Sequence, residues 1–125
     1  MYSPKYMTID KDIYQFCVDV AHAYHTLLKR QIVLEQELTL AQGSHSGTEE
    51  GRSALLRQEE NEREIQAIEQ AWDDAARDDV ERTFIRLNLF QGILMKYIDL
   101  PMEIKSMKRC RRRFLEHLAR NLHKI

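Results

Sequence analysis

Along the first part of the chain, Ile13, Cys17, Val20, Tyr24, Leu27, Gln31, Leu34, Leu38 and Ala41 recur at alternating steps of four and three. That spacing predicts one long helix carrying a coiled-coil seam for about four heptads. Gln31 is the one polar seam position, a device that fixes register at some cost in stability. Thr8 or Asp10 is placed to cap the helix start, because a short polar side chain there accepts from an otherwise unpaired backbone N–H.

The run from Gly43 to Gly51 holds three glycines among small polar residues and no apolar one, which predicts a loop. A second helix is expected from about Arg52 to Ala76, with Leu55, Ile65, Ile68, Trp72 and Ala75 or Ala76 as its stripe, interrupted by the polar stretch Gln58 to Glu64. Such a stripe needs a partner, and the first helix folded back across the loop supplies one. Asp73, Asp74, Asp78 and Asp79 surround a break, with Asp78 or Asp79 capping a third helix through Phe84, Ile85, Leu89 and Phe90. A single helix from Arg52 to Gln91 satisfies the same pattern, since neither Gly nor Pro lies between Ala54 and Gln91. Gly92 ends the helix on either reading. A short apolar helix, Ile93 to Asp99, a turn at Leu100-Pro101-Met102 and a final helix from about Glu103 complete the pattern.

The fold class is therefore all-α. Residues 1–77 form an N-terminal antiparallel helical hairpin, coiled-coil-like, with its loop at 43–51, and residues 78–125 form a helix-turn-helix module.

Charge changes the picture in one respect. The net charge of −1 conceals a tail from Lys105 with eight Lys or Arg against the single acid Glu116, so that the tail is +7 and the preceding part −8. On a helical wheel at about 100° per residue, Ile104, Met107, Phe114, Leu115, Leu118 and Leu122 share one arc. Lys105, Lys108, Arg109, Arg112 and Arg113 lie opposite. Arg111 falls within the apolar arc and must snorkel, meet a carboxylate such as Asp99, or emerge at a phosphate. An ordinary solvated helix intersperses charges of both signs; this one keeps cations on one side and an apolar stripe on the other, as groove insertion requires.

The segment Leu100-Pro-Met-Glu-Ile-Lys-Ser106-Met-Lys-Arg109-Cys-Arg111-Arg-Arg113 resembles the helix-turn-helix of sigma-factor-type and of phage late-gene and autolysin-type transcription regulators. In that pattern Leu100 and Met102 are the apolar turn positions, Ser106 the hydroxyl residue opening the helix, and Arg109, Arg111, Arg112 and Arg113 the basic recognition helix. Pro101 stands where the pattern has Gly, Glu103 where Ser is common, and Lys96-Tyr97 where Ile-Ala is usual. The resemblance implies a sequence-specific DNA-binding regulator, of a phage or mobile element, reading double-stranded DNA in the major groove, with RNA polymerase a possible further partner. The expected DNA-binding residues are Lys105, Ser106, Lys108, Arg109, Arg112 and Arg113: Arg109 and Arg112 for bases, Lys105, Lys108 and Arg113 for phosphates. A homodimer joined through Ile13, Val20, Tyr24, Leu27, Leu34 and Leu38, or their antiparallel neighbours, would present two such helices; the same seam spacing is met equally by burial inside one chain.

The alternative from another class is a helical adaptor that acts through its coiled coil and binds no DNA. Other chemistry is sparse. His22 and His25 have no third ligand at metal spacing, and no nucleophile–base pair, phosphate loop or paired acids are present, so neither an enzyme nor a cofactor is expected. Cys17 and Cys110 are far apart in sequence and read as reduced thiols. No stretch approaches the roughly 20 apolar residues of a membrane span, and the expected location is the cytoplasm.

Overall fold

The computed structural model describes residues 10–44 and 49–125, and these are helical with no strand. Five α-helices follow in order: α1 (Lys11–His22), α2 (Tyr24–Ser44), α3 (Glu49–Ala75), α4 (Asp79–Ile85) and α5 (Ile104–Asn121). A π-helical turn, Arg86–Phe90, continues α4, and a single 3₁₀ turn, Met95–Tyr97, precedes α5. No helix among the described residues is long and apolar enough to cross a membrane.

Local chemistry accounts for most of the boundaries. Asp10 caps α1, its carboxylate accepting from the Asp12 N–H at 2.8 Å. Thr8, the other candidate cap, lies outside the described residues, as do positions 45–48 of the expected loop. That loop is shorter than its composition suggests, because α2 runs through Gly43 and Ser44, and α3 already includes Glu49 to Gly51. A glycine costs a helix only about 1 kcal/mol relative to alanine, which flanking helix formers can absorb. Asp78 begins α4 by accepting from the Glu81 N–H at 2.8 Å, so the helix does break after α3 and does not run on to Gln91.

The long first helix is bent. At Ala23 ψ rotates to −1°, and its N–H is shared between the carbonyls of Asp19 and Val20 at 3.2 and 3.1 Å. The bend lets one heptad pattern serve two partners: α1 packs on α5 and the π turn, while α2 packs on α3. Tyr24 bonds Glu69, Gln31 bonds Glu62 and Arg57 reaches Glu37, so α2 and α3 lie alongside with opposite chain directions. Cys17, Tyr24, Leu27 and Leu34 are buried within this one chain, and Ile13, Val20 and Leu38 are half-buried. The seam is thus buried inside one chain, one of the two arrangements its spacing allows, and α3 and α5 occupy the face that a second copy joined through it would need. Leu55 is a correction, exposed although it was expected in the stripe of α3; Asn61 takes a buried position on that face instead.

One cluster of buried side chains runs from Cys17 through Ile68, Phe84 and Leu89 to Phe114, Leu118 and Ala119, crossing the expected boundary at residue 77. Tyr24, Trp72, Phe90 and Phe114 form a chain of rings through it, Trp72 meeting Phe90 edge-on at 5.0 Å and Phe90 meeting Phe114 at 5.8 Å. Such edge-to-face pairs contribute roughly 0.5–1.5 kcal/mol beyond their buried area.

The expected short helix from Ile93 to Asp99 is replaced by the 3₁₀ turn. Gly92 adopts φ +73°, and the Ile93 N–H closes on the Leu87 carbonyl at 2.9 Å, a wide turn made possible by the π geometry before it. Leu94 and Ile98 on either side of Met95–Tyr97 are extended, which leaves no room for further helical turns. A Cβ added at Gly92 would lie 3.0 Å from His22 Cε1. Gly92→Ala should therefore destabilise the chain by about 1–2 kcal/mol in urea unfolding, and His22→Ala should recover only the steric part, leaving the backbone cost.

Burial pushes the thiols of Cys17 and Cys110 up to about 11. At pH 8 their thiolate fraction should be about a hundredfold lower than in the unfolded chain, so Ellman's reagent should label the native protein far more slowly than the urea-unfolded one. Because the folded value is the higher, this contribution to stability is complete below the unfolded value near 9 and declines as pH rises toward 11.

Candidate nucleic-acid interface

Helix α5 starts behind a tight turn in which the Met102 N–H bonds the Leu100 carbonyl at 2.7 Å across Pro101. Glu103, at its N-cap position, is extended and offers no side-chain bond to the first turn. Phe114, Leu115, Leu118 and Cys110 are wholly buried and Met107 nearly so. Cys110 and Ala119 belong to this buried face although the wheel did not assign them. Ile104, which it did assign, is 48% exposed, because it precedes the point at which the packing partners begin.

The register of α5 follows from two bonds. Asn121 Nδ2 donates to the Ala67 carbonyl at 3.1 Å, and Arg113 Nε to the Ala75 carbonyl at 2.7 Å, so α5 runs antiparallel to α3. With α3 ending at Ala75, the turns before Arg113 project past its C-terminal end. At a rise of 1.5 Å per residue, Lys105 stands about 12 Å beyond Arg113 along the axis.

Lys105, Lys108, Arg109 and Arg112 are exposed on those projecting turns, and Ser106 is half-buried beside them. From Lys105 to Arg112 the exposed positions are all basic, and the one acid of the helix, Glu116, lies a turn beyond Arg112 and is half-buried. A dense patch of like charge costs stability on its own, and a phosphate backbone relieves that cost.

Arg113 departs from its expected role. Its Nη2 donates to Glu81 Oε1 at 2.7 Å while its Nε bonds the Ala75 carbonyl, and the two charged side chains are only 21% and 16% exposed. Glu81 also accepts from the Arg77 N–H at 2.8 Å. One ion pair thus joins the end of α3, the start of α4 and the middle of α5. The cation at the last carbonyls of α3 also suits the helix dipole. Arg113 is therefore a clasp, spent inside the protein, and is withdrawn from the phosphate contacts.

Arg111 has a polar destination that none of the three expected ones anticipated. It donates through Nη1 to Asn88 Oδ1 and through Nε to the Tyr14 hydroxyl at 3.3 Å. Asn88 sits in the π turn, is 7% exposed, and spends its amide nitrogen on the Ile93 carbonyl at 2.9 Å. Arg111 thereby ties α5 to α1 and to the turn at Gly92. The buried Asn88 carried no sequence signal, because an asparagine between Leu87 and Leu89 reads as a surface position.

The turn before α5 leaves Leu94 and Tyr97 exposed, at 59% and 69%, with Lys96 Nζ 5.0 Å from the centre of the Tyr97 ring. Trp72 is instead fixed as a packing anchor. Its indole N–H bonds the Arg82 carbonyl at 3.0 Å, and the Arg82 guanidinium, paired with Asp73 at 2.6 Å, lies over the ring at 4.0 Å.

Comparison with protein families, with curated proteins and with solved structures gives no match for this chain.

The clasp makes a quantitative demand. Arg113→Met and Glu81→Gln should each lower stability by about 1–3 kcal/mol, and the double variant should lose distinctly less than the sum, giving a coupling energy near or above 1 kcal/mol by chemical denaturation. Strict additivity would mean that the ion pair does not hold the three helices together.

Proposed function

We propose that the protein is a sequence-specific DNA-binding transcriptional regulator that places α5 in the major groove. The observation that carries this reading is the two-sidedness of α5: an apolar face closed inside the core, and opposite it Lys105, Lys108, Arg109 and Arg112 exposed on turns that project past α3. A recognition helix needs both properties, since the buried face fixes its orientation and the exposed face meets phosphates and base edges.

On this reading α4 with its π turn, the 3₁₀ turn and α5 constitute a shortened helix-turn-helix, in which Met95–Tyr97 occupies the place of the middle helix. The antiparallel pair α2 and α3 is the hairpin that supports it. Arg109 and Arg112 are the base readers, because arginine can meet guanine bidentately; Lys105 and Lys108 contact phosphates, and Ser106 bonds a phosphate or the local backbone. Pairing two copies on a palindromic site requires a surface other than the Tyr24–Leu27–Leu34 seam. The sigma-factor-like arrangement makes RNA polymerase a candidate second partner, in the cytoplasm.

The adaptor reading draws on a different feature, the exposed Ile32, Val33, Leu55 and Leu56 near the far end of α2 and α3. The basic end separates the two readings, because an adaptor has no need for it to bind DNA.

Selection from random DNA at stated salt should yield a preferred site. Arg109→Ala and Arg112→Ala should each weaken that site by about 1–3 kcal/mol and relax specificity, while Lys105→Ala should weaken all DNA about equally and reduce the salt slope by about one. Absence of affinity for mixed DNA at low ionic strength would sink the reading.

A further inference from the structure

At the end of the α2–α3 pair remote from α5 lies an open groove of about 370 Å³. Val33 and Leu34 give it an apolar wall, Glu37, Glu60 and Glu64 line it with carboxylates, Arg30 and Arg57 lie among them, and Asn61 also lines it. Arg57 is already directed to Glu37 at 3.4 Å and to the Ser53 carbonyl.

The amides behind the groove are oriented by their neighbours. Asn61 Nδ2 donates to the Leu27 carbonyl and to Gln31 Oε1, both at 2.9 Å. Gln31 Nε2 donates to Glu62 Oε1 at 2.8 Å, and Gln58 Nε2 donates to the same oxygen at 3.2 Å. Reversing the Asn61 amide would set its oxygen against the Leu27 carbonyl, so the orientation follows from repulsion. All three amide nitrogens are thus spent inward. What remains are two buried acceptors with no donor among the described residues, Asn61 Oδ1 and Gln58 Oε1, and the Asn61 side chain is only 4% exposed. An unsatisfied buried acceptor is costly, and the group that relieves it must be a donor.

We propose that this groove binds a cationic group on an aliphatic stem, a guanidinium or ammonium of the arginine, lysine or polyamine kind. Such a group only donates, matching the orphan acceptor of Asn61, the one that lines the groove; its charge suits Glu60 and Glu64; its methylene stem suits Val33 and Leu34. Two sources share this chemistry, a free amine and a basic side chain on α5 of a second copy. The site is independent of the DNA reading, lying at the opposite end of α3 from the projecting turns.

The experiment is an NMR titration of the full-length protein, following the methyl resonances of Val33 and Leu34 and the side-chain amide of Asn61, with the methyls as the readout in variants that lack that amide. The probes are agmatine, spermidine and, as a neutral control of similar length, 1-butanol. Saturable shifts with agmatine or spermidine, absent with 1-butanol, are expected. Glu60→Gln/Glu64→Gln should weaken them by tenfold or more, and Asn61→Leu should abolish them while circular dichroism shows the fold retained. If a second copy is the source, the same resonances should move on dilution without added amine, and Lys105→Gln/Arg109→Gln should remove that concentration dependence. Equal shifts with 1-butanol, or no shift with any probe and none on dilution, would overturn the proposal. DNA binding is read separately in each variant, so its loss or retention bears only on the other reading.

Discussion

Burial of the apolar face of α5 is the constraint on which the rest of the structure depends. Phe114, Leu115 and Leu118 have no exposed surface, and α1, α3 and α4 all pack on this one helix. Truncating a buried side chain of that size costs roughly 2–5 kcal/mol, a large share of the 5–15 kcal/mol by which a domain is stable. The helix that carries the candidate interface is consequently the central element of the core rather than an appended basic tail. Its exposed cations inherit the rigidity of that packing, which is what an interface that reads geometry requires.

The same arrangement has an electrostatic cost, and the fold deals with it selectively. Seven Lys or Arg occur in α5, and two arginines two residues apart are turned inward to different neighbours: Arg113 to Glu81 and the end of α3, Arg111 to Asn88 and Tyr14. A half-buried guanidinium requires hydrogen-bond partners for its several N–H groups, and both have them. Those two contacts fix the roll of α5 about its own axis, since each engages a different neighbour. Lys105, Lys108 and Arg109 are left facing outward as a consequence of that roll.

Features governed by short-range rules were legible in the sequence: the all-helical class, the helix end at Gly92 and the packing role of Trp72, while Asp10 and Asp78 each stood as one of two cap candidates and the break at Asp78 beside an unbroken helix to Gln91. Each depends on a few neighbouring residues and one backbone or ring geometry. The misreadings arose where distant elements decide. Ala23 bends the first helix because α1 and α2 have different partners, and neither glycine nor proline marks the place. The Ile93–Asp99 helix gives way because Asn88 and Leu87 hold the chain at Ile93 while Leu94 and Ile98 extend around the 3₁₀ turn. Arg113 lies on the polar side of a wheel yet is claimed by Glu81, a partner 32 residues away. A wheel knows the angle of a side chain and not what stands opposite it.

The polar layer at Gln31 and Asn61 brings the two ends of the molecule into one argument. An apolar pair at these positions would hold α2 and α3 together more strongly, since buried polar groups contribute little net stability even when satisfied. The pair present instead fixes the register between the helices, because Asn61 reaches both the Leu27 carbonyl and Gln31 only in one alignment. That register runs along α3 to Ala75, where Arg113 reads it as the position of a carbonyl. A slip of one residue at Asn61 would move the Ala75 carbonyl by about 1.5 Å and break the clasp that sets the roll of α5. Specificity of alignment at the amide layer is thus a condition for the placement of the cationic turns at the other end.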